Sequence, residues 1–331
     1  MTPEAPVLSV DNLSLSFRSR TGPVAVLRNV SIDIQPGEIV GFVGESGSGK
    51  SVTALQIARL LPEDQVLVDS GSIKVAGHDV LSANAREMND LRGSQIGFIF
   101  QEPMTALSPT MAVGTQLALA IRRHARCSRK EAQRRALETL NEVRIESADH
   151  VARQYPFQLS GGMCQRVVIA LAMCASPALL IADEPTTALD VTIQADILNL
   201  IRALAADHGT SVLFVSHDLA VVSELCQRVF VLYGGEMVEQ GSSHDILNGP
   251  RHPYTKALLA ALPHISGTKE LQPIPGEPPD PRQAPAGCVF LPRCPEAFAR
   301  CEAKPPSFAI QSAHTAACWL NEQIAEGPTD A

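Results

Sequence analysis

A segment rich in glycine and serine, from Gly44 to Ser51, fits the phosphate-loop pattern G-x-x-x-x-G-K-S. Its glycines let backbone N–H groups approach phosphate oxygens without side chains in the way. Lys50 is placed to reach the β- and γ-phosphates of a nucleotide, and the hydroxyl of Ser51 to ligate Mg²⁺. The segment therefore predicts a site for ATP with Mg²⁺, to which its inner residues also belong: Glu45, Ser46, Gly47, Ser48 and Gly49.

A pair of acids, Asp183 and Glu184, follows the apolar segment 179–182. A carboxylate at the end of a buried strand is where Mg²⁺ coordination is expected in phosphate-loop enzymes, which assigns Asp183. The neighbouring Glu184 would polarise the attacking water. Two adjacent acids could also form a surface turn, but their presence in one chain with a phosphate loop favours ATP hydrolysis.

Three further polar groups follow predicted strands or begin predicted helices. Gln101 follows the apolar segment 96–100, and His217 follows the apolar strand 211–215. Ser160, Gly161 and Gly162 precede an apolar helix and form a second anion site. That second site is too far along the chain to serve the same γ-phosphate as Lys50.

The elements that must position these residues alternate between strand and helix before residue 250, which predicts a largely parallel sheet wrapped by helices. We expect strands at 8–17, 39–43, 96–100 and 179–182, with 211–215 and 229–233 completing the set. Helices are expected at 51–61, across most of 112–158, and from a cap at Asp190 to His208, where Gly209 ends the last one. Ser128 and Glu131 have the form of a capping box.

Composition changes near residue 250, because fourteen of the 24 prolines lie from Pro250 onward. The proline-rich segment 273–281 cannot sustain helix or central strand and predicts an extended linker. We therefore divide the chain into an ATPase domain at 1–250, with a helical subdomain at about 102–176, and a C-terminal domain at 251–331.

Four cysteines crowd into the C-terminal domain: Cys288, Cys294, Cys301 and Cys318. Four thiolates at this spacing can enclose a tetrahedral metal or a [4Fe–4S] cluster. The absence of close C-x₂-C pairs weighs against zinc. Reduced thiols without any metal remain a third possibility.

Charge and hydropathy restrict the class of partner. The formal net charge of −8 and the pI near 5.6 argue against nucleic acid as the main partner. Residues 1–10 show no secretory signal, and the longest apolar run, 167–182, is short for a membrane span and interrupted by Pro177. We expect a cytosolic chain, or one bound to a membrane through other subunits.

The order of these motifs over residues 7–250 resembles the ATP-binding-cassette family. The resemblance rests on the phosphate loop, Gln101, the segment 159–162, the Asp183-Glu184 pair, the segment 188–190 and His217. It implies the ABC-type fold, with a mainly parallel sheet, N-terminal antiparallel strands and an inserted helical subdomain. In that family two cassettes dimerise head to tail around two ATP molecules.

The resemblance also implies roles for single residues. Ser160, Gly161 and Gly162 would contact the partner's nucleotide. Gln101 would sense Mg²⁺ and the transporter interface, and His217 the γ-phosphate. Asp190 would lie at the dimer seam, and Phe17 would stack on adenine, although a core phenylalanine is the alternative. Met163 stands where the commonest family signature has glutamine.

The C-terminal segment narrows the resemblance. The motif 252–259, a proline-rich stretch and the four cysteines look like the ATPase subunits of oligopeptide and dipeptide importers. This implies a [4Fe–4S] cluster on the cysteines and a peripheral position at the cytoplasmic face of the cell membrane. The implied partners are a second, different ABC ATPase chain, two transmembrane permease subunits and, indirectly, an extracytoplasmic substrate-binding protein.

Two other functions compete with an importer motor. A soluble mechanical ABC ATPase acting on DNA or ribosomes would need a long inserted coiled coil or a second cassette, and the sequence has neither. A redox sensor that uses ATP as a structural ligand would need a failed catalytic site, whereas Glu184 and His217 are present. We therefore expect an ATP-hydrolysing importer subunit.

Overall fold

The computed structural model describes residues 5–187, 190–261, 274–283, 285–311 and 313–325. Its strands are β1 (Leu8–Phe17), β2 (Val24–Ile34), β3 (Ile39–Val43), β4 (Val66–Val75), β5 (His78–Asp79), β6 (Ile96–Ile99), β7 (Leu179–Asp183), β8 (Ser211–Ser216), β9 (Arg228–Tyr233), β10 (Glu236–Ser242), β11 (Phe308–Gln311) and β12 (His314–Ala316). Its α-helices are α1 (Lys50–Ile57), α2 (Ala85–Ser94), α3 (Pro103–Ala106), α4 (Val113–His124), α5 (Arg129–Glu142), α6 (Ala148–Val151), α7 (Gly161–Met173), α8 (Val191–His208), α9 (Leu219–Leu225), α10 (Ser243–Asn248), α11 (Pro253–Ala260) and α12 (Glu322–Ala325).

One of two compact units contains residues 9–33, 39–73 and 214–331. Within it β3 pairs in parallel with β9, and β9 continues into an antiparallel pair with β10. The C-terminal strands extend this sheet, because β12 pairs with β10 and β11 pairs with β12. All of β3 is buried, as expected of a parallel strand covered on both faces.

The other unit contains residues 1–8, 34–38 and 74–213. Its strands β6 and β7 pair in parallel, with Ile99 opposite Ala182, and every residue of β7 is buried. Its helices α4 and α5 present their apolar residues to the interior, including Leu117, Ile121 and Leu140. This amphipathic pattern is what makes a helical region self-supporting in water.

The strands predicted at 8–17 and 39–43 have those bounds in the structure, and the predicted α/β class is confirmed. Other elements differ. Helix α1 ends at Ile57, because Arg59 adopts a left-handed φ of 49° that no α-helix continues. Only half of the predicted capping box forms: Ser128 accepts the N–H of Glu131, whose carboxylate pairs instead with Arg134 and Arg135.

The prediction that 229–233 completes the strand set is wrong, since β10, β11 and β12 follow it. Residues 274–280 of the predicted extended linker form neither helix nor strand, as predicted, but they contact the rest of the C-terminal segment. The carbonyls of Ile274 and Pro275 accept hydrogen bonds from Arg293 at 3.2 and 2.8 Å. A domain boundary at residue 250 stays a prediction.

Candidate functional site

The phosphate loop lies between the buried strand β3 and helix α1, whose first residue is Lys50. Lys50 is 4% exposed, and its ammonium donates to the carbonyls of Gly44 and Glu45 at 2.8 and 3.0 Å. The hydroxyl of Ser48 is buried without a hydrogen-bond partner in the described part of the chain. An orphaned hydroxyl beside a helix N-terminus fits a loop built to surround a polar ligand.

Two glycines of the loop show why side chains are excluded there. Gly47 has φ +78°, and a Cβ placed on it would meet nothing within 4 Å, so this position faces open space. Gly49 has φ +108°, and its Cβ would come within 2.7 Å of a methyl of Leu27. The first glycine keeps the outer side of the loop clear, and the second allows close packing of the loop on the protein.

The backbone of Glu45 forms a hydrogen bond with the C-terminal segment. Its N–H donates to the hydroxyl of Tyr254 at 2.7 Å. Tyr254 is fully buried and packs on Tyr233 and Phe290, with ring centroids 4.4 and 5.5 Å away. Burial raises the pKa of the Tyr254 hydroxyl well above its usual range, so this acceptor stays uncharged.

The side chain of Glu45 makes a second contact with the same segment. The guanidinium of Arg293 binds its carboxylate in two places, at 2.6 and 3.2 Å. Arg293 is 8% exposed and also donates to the hydroxyl of Tyr233 at 3.1 Å. Burial opposes its charge, but the hydrogen bonds with Glu45 and Tyr233 raise the pKa of Arg293 above the ordinary value.

In the other unit, the parallel register of β6 and β7 brings two predicted site residues together. Gln101 and Glu184 each lie two residues beyond the paired residues Ile99 and Ala182. The side-chain amide of Gln101 donates to the carboxylate of Glu184 at 3.1 Å, and Thr187 donates to the same oxygen at 2.9 Å. Glu184 has a left-handed φ of 48°, a strained conformation of the kind that clusters at active sites.

Asp183 ends the buried strand β7 and is itself 6% exposed. Its place at the carboxyl end of a parallel strand is the one that the sequence predicted. A buried carboxylate there has little water around it, which favours compensation by a cation or by hydrogen-bond donors.

The predicted second anion site lies at the start of α7. Ser160 occupies the N-cap position, and its hydroxyl accepts the N–H of Met163 at 3.3 Å. Ser160 and Gly161 are exposed, and a Cβ on Gly161 would meet nothing within 4 Å. A Cβ on Gly162 would stand 3.1 Å from Ile193, so only the first glycine faces fully open space.

The remaining predicted residues occupy separate places. His217 is exposed and directly follows β8, while Asp218 caps α9 by accepting two backbone N–H groups. Asp190 is exposed at the N-cap of α8 without a side-chain cap bond, and Gly209 ends that helix at φ 64°. Phe17 is half-buried at the end of β1. Residues 188 and 189 of the predicted motif lie outside the described residues.

The four C-terminal cysteines line one small cavity, together with His252, Phe290 and Trp319. Burial raises the pKa of Cys288 and Cys294, and that of Cys318 to about 11. No group of three or more His, Cys, Asp or Glu side chains in the described ranges could hold a metal ion. The cysteines therefore converge without the compact spacing of a single-ion site.

Sequence reasoning missed a buried polar cluster behind that cavity. Glu239 is 1% exposed and accepts from the N–H groups of Arg251 and His252 at 2.7 and 2.9 Å, and from the imidazole of His314 at 2.8 Å. His252 is buried, and burial lowers its pKa to about 4. Its Nδ1 accepts the N–H of Tyr254, which leaves Nε2 to carry the proton, buried and without a partner among the described residues.

Comparison of the sequence with known proteins identifies the family. The ABC transporter family matches residues 27–187, and the C-terminal region of oligopeptide/dipeptide transporters matches residues 238–301. The chain is 49% identical over 320 residues to a probable D,D-dipeptide transport ATP-binding protein of Escherichia coli (strain K12), covering 96% of this chain and 98% of that protein. The chain belongs to the ABC transporter family.

Two further comparisons agree with this membership. This ABC ATP-binding chain is 47% identical to a dipeptide transport ATP-binding protein of Bacillus subtilis (strain 168), over 97% of this chain and 96% of that protein. A dimeric ATP-binding cassette solved with ADP and Pi is 30% identical, covers 71% of this chain and 98% of that structure, and has a TM-score of 0.64. The predicted ABC-type fold is thereby confirmed.

No helix in the part of the chain that the structure describes is both long and apolar enough to cross a membrane.

Proposed function

We propose that this chain is the ATP-hydrolysing subunit of an ABC importer of dipeptides or oligopeptides. The proposal depends on one observation above all: a phosphate loop and the oligopeptide/dipeptide transporter C-terminal region lie in the same chain. The soluble mechanical alternative is not favoured, because its relatives would not need that C-terminal region. The chain works as a peripheral subunit with membrane permeases.

The roles that the family resemblance implies are proposals for this chain. Glu184 polarises the attacking water, and its contact with Gln101 supports a shared hydrolytic role for the two side chains.

The nucleotide site is assigned in the same way. Residues 44–51 bind ATP, and Ser51, Asp183 and Gln101 bind Mg²⁺. His217 contacts the γ-phosphate, and Phe17 contacts the adenine. Ser160, Gly161 and Gly162 complete the nucleotide site of a partner cassette, and Asp190 lies at the dimer seam. The partner cassette is a different chain.

An exposed apolar patch supports docking of a membrane-subunit helix on the segment 101–110 and the helices after it. Met104 and Phe157 are 47% and 68% exposed, and Tyr155 stacks on Phe157 with centroids 5.7 Å apart. The buried thiol of Cys164 contacts both the sulfur of Met104 at 3.3 Å and the carbonyl of Pro156 at 3.5 Å, so Met104 and the segment 155–157 pack against the same residue. Contiguous exposed aromatic surface of this kind marks interaction sites.

The four C-terminal cysteines line one cavity, which supports the proposal that they bind a [4Fe–4S] cluster, with zinc as the alternative. As they stand, no three or more His, Cys, Asp or Glu side chains of the described residues are grouped to hold a metal ion. In a cluster each thiolate would bind a different iron. Bound there by Cys288, Cys294, Cys301 and Cys318, the cluster would supply a redox-active or structural centre. The unpartnered Nε2–H of His252 on the same cavity would donate to its sulfur atoms.

The proposed function is tested by purifying the chain from its native membrane in detergent. We expect it to co-purify with two permease subunits and a second ATPase chain, and the reconstituted complex to take up peptides only with ATP. A chain that is never found with membrane subunits would refute the importer function.

A further inference from the structure

The phosphate loop is tied to the C-terminal segment through a single residue, Glu45. Its backbone N–H donates to Tyr254 at 2.7 Å, and its carboxylate accepts the bidentate guanidinium of Arg293. Both partners are nearly inaccessible to solvent, at 0% and 8% exposure. Ion pairs and hydrogen bonds in such surroundings are much stronger than the same contacts in water.

The same two residues are connected to the cysteine cavity through their backbone. Arg293 directly precedes Cys294, and the backbone N–H of Tyr254 donates to His252, which lines the cavity. Arg293 also donates to the carbonyls of Ile274 and Pro275, so it binds the proline-rich stretch as well. Movement of the cysteine segment must therefore be transmitted to Glu45, or these contacts must break.

A purely structural ion pair would not need this arrangement. The Arg300–Glu322 ion pair can be compared with the Arg293–Glu45 pair. Arg300 also precedes a cysteine, and two of its guanidinium nitrogens bind Glu322. Its guanidinium lies 4.0 Å from the centre of the Trp319 ring. That pair joins two parts of the C-terminal segment. Only the Arg293 pair reaches into the phosphate loop, at the residue next to Gly44.

We propose that Arg293 and Tyr254 are positioning residues of the phosphate loop, through which the folding state of the four-cysteine segment sets the affinity for ATP. The inference rests on the nucleotide site of the proposed function and not on the transported substrate. By thermodynamic reciprocity, ATP bound to the loop must stabilise the cysteine segment by the same coupling free energy.

The test measures binding of a fluorescent ATP analogue with Mg²⁺ to the purified full chain. We expect R293Q and E45Q each to weaken binding about tenfold, a coupling of ordinary size. The double variant should be no weaker than either single variant, because both remove the same interaction. R293K keeps the positive charge but loses the bidentate geometry of the guanidinium. It should therefore recover only part of the ATP affinity that R293Q loses.

Hydrogen exchange distinguishes this coupling from a purely structural role of Arg293 and Glu45, because a structural role would not make exchange in the cysteine segment depend on ATP. In the wild type, the ATP analogue should slow amide exchange across residues 288–301, and in E45Q this protection should be lost. E45Q alters a partly exposed loop side chain, so it keeps the test valid if R293Q does not fold. R134Q, which breaks the exposed ion pairs of Arg134 with Glu131 and Glu138 on α5, should bind the analogue with wild-type affinity.

The inference is wrong if R293Q and E45Q fold and bind ATP as tightly as the wild type, or if R134Q weakens binding equally. These outcomes are independent of the membrane subunits. Failure of peptide import would count against the proposed function and leave this result unaffected.

Discussion

The side-chain amide of Gln101 donates to the carboxylate of Glu184 at 3.1 Å. The two residues are 83 positions apart in the chain and meet because β6 and β7 are parallel neighbours in register. Thr187 donates to the same carboxylate oxygen, so Glu184 has two fixed donors on one side. Gln101 and Thr187 thereby fix the orientation of the carboxylate that we propose as the general base.

The variant E184Q should keep ATP binding and lose hydrolysis. Glutamine preserves the size of the side chain and its contact with Gln101 but cannot act as a general base, which costs about 10²- to 10⁴-fold in rate. We expect phosphate release to fall by that factor while the closed dimer accumulates with ATP on size-exclusion chromatography. Hydrolysis near the wild-type rate would remove Glu184 from the mechanism. E138Q, on the exposed surface of α5, is the matched control.

Alanine at two loop glycines should separate nucleotide binding from folding. G47A adds a methyl in open space at a left-handed φ, so we expect a loss of about 1–2 kcal/mol in the free energy of unfolding and a strong loss of ATP affinity. G49A adds a contact of 2.7 Å with Leu27 and should lose about 2–4 kcal/mol. Urea unfolding and analogue binding measure the two effects. Wild-type ATP affinity in G47A would show that this open side does not face the phosphates.

Replacing one C-terminal cysteine should remove the proposed cluster. Wild-type protein purified without oxygen should be brown and contain iron and acid-labile sulfide, and C294S should lose both, because each thiolate binds a separate iron. C174S is the control, since burial raises the pKa of that thiol to about 11 and it lies outside the cavity. Colourless, zinc-loaded wild-type protein would refute the cluster.

The site elements that sequence could predict are those with local signals. A phosphate loop, an acid pair after an apolar strand and a serine-glycine helix start each carry their meaning in a few adjacent residues. Their surrounding strands were predictable because buried parallel strands are continuous apolar runs. The strand β10 was missed because charged Glu236 and Glu239 interrupt its apolar character. In the structure Glu236 pairs with Lys304, and Glu239 accepts a hydrogen bond from His314.

The contacts around Glu45 could not be predicted from the sequence. Arg293 and Tyr254 follow it by 248 and 209 residues, and nothing in their spacing indicates which loop they reach. The proline-rich stretch between them gave no further indication, since its composition is that of an extended linker. A signal was present in Arg293 beside Cys294, because a charged residue there must find a partner if the segment is buried.

The exposed patch on the helical region should be required for assembly with the membrane subunits. F157E places a charge on the most exposed large apolar residue of the described chain, where a buried aromatic contact is worth about 2 kcal/mol or more. We expect co-purification with the permeases to fall at least about tenfold, while the thermal midpoint reports whether the chain still folds. V68E, at an exposed apolar residue of β4, should assemble normally. Normal assembly of F157E would place the docking surface elsewhere.

The buried carboxylate of Glu239 should be among the most sensitive positions for stability. Its two oxygens accept from the N–H groups of Arg251 and His252 and from His314, so it joins β10 to the start of α11 and to β12. E239Q turns one acceptor oxygen into a donor that faces another donor, and a buried unsatisfied pair of this kind costs about 3 kcal/mol. Urea unfolding measures the loss.

The matched control is E236Q on the same strand. Glu236 pairs with Lys304 at 3.0 Å, but Lys304 is 48% exposed, so the loss should be at most about 1 kcal/mol. If E239Q unfolds at the wild-type midpoint, Glu239 does not hold the C-terminal segment on the sheet. The coupling of that segment to the phosphate loop would then depend on Arg293 and Tyr254 alone, and the ATP affinity of E239Q should equal that of the wild type. If E239Q is destabilised as expected, its ATP affinity should fall as well, because Tyr254 is carried by the same segment.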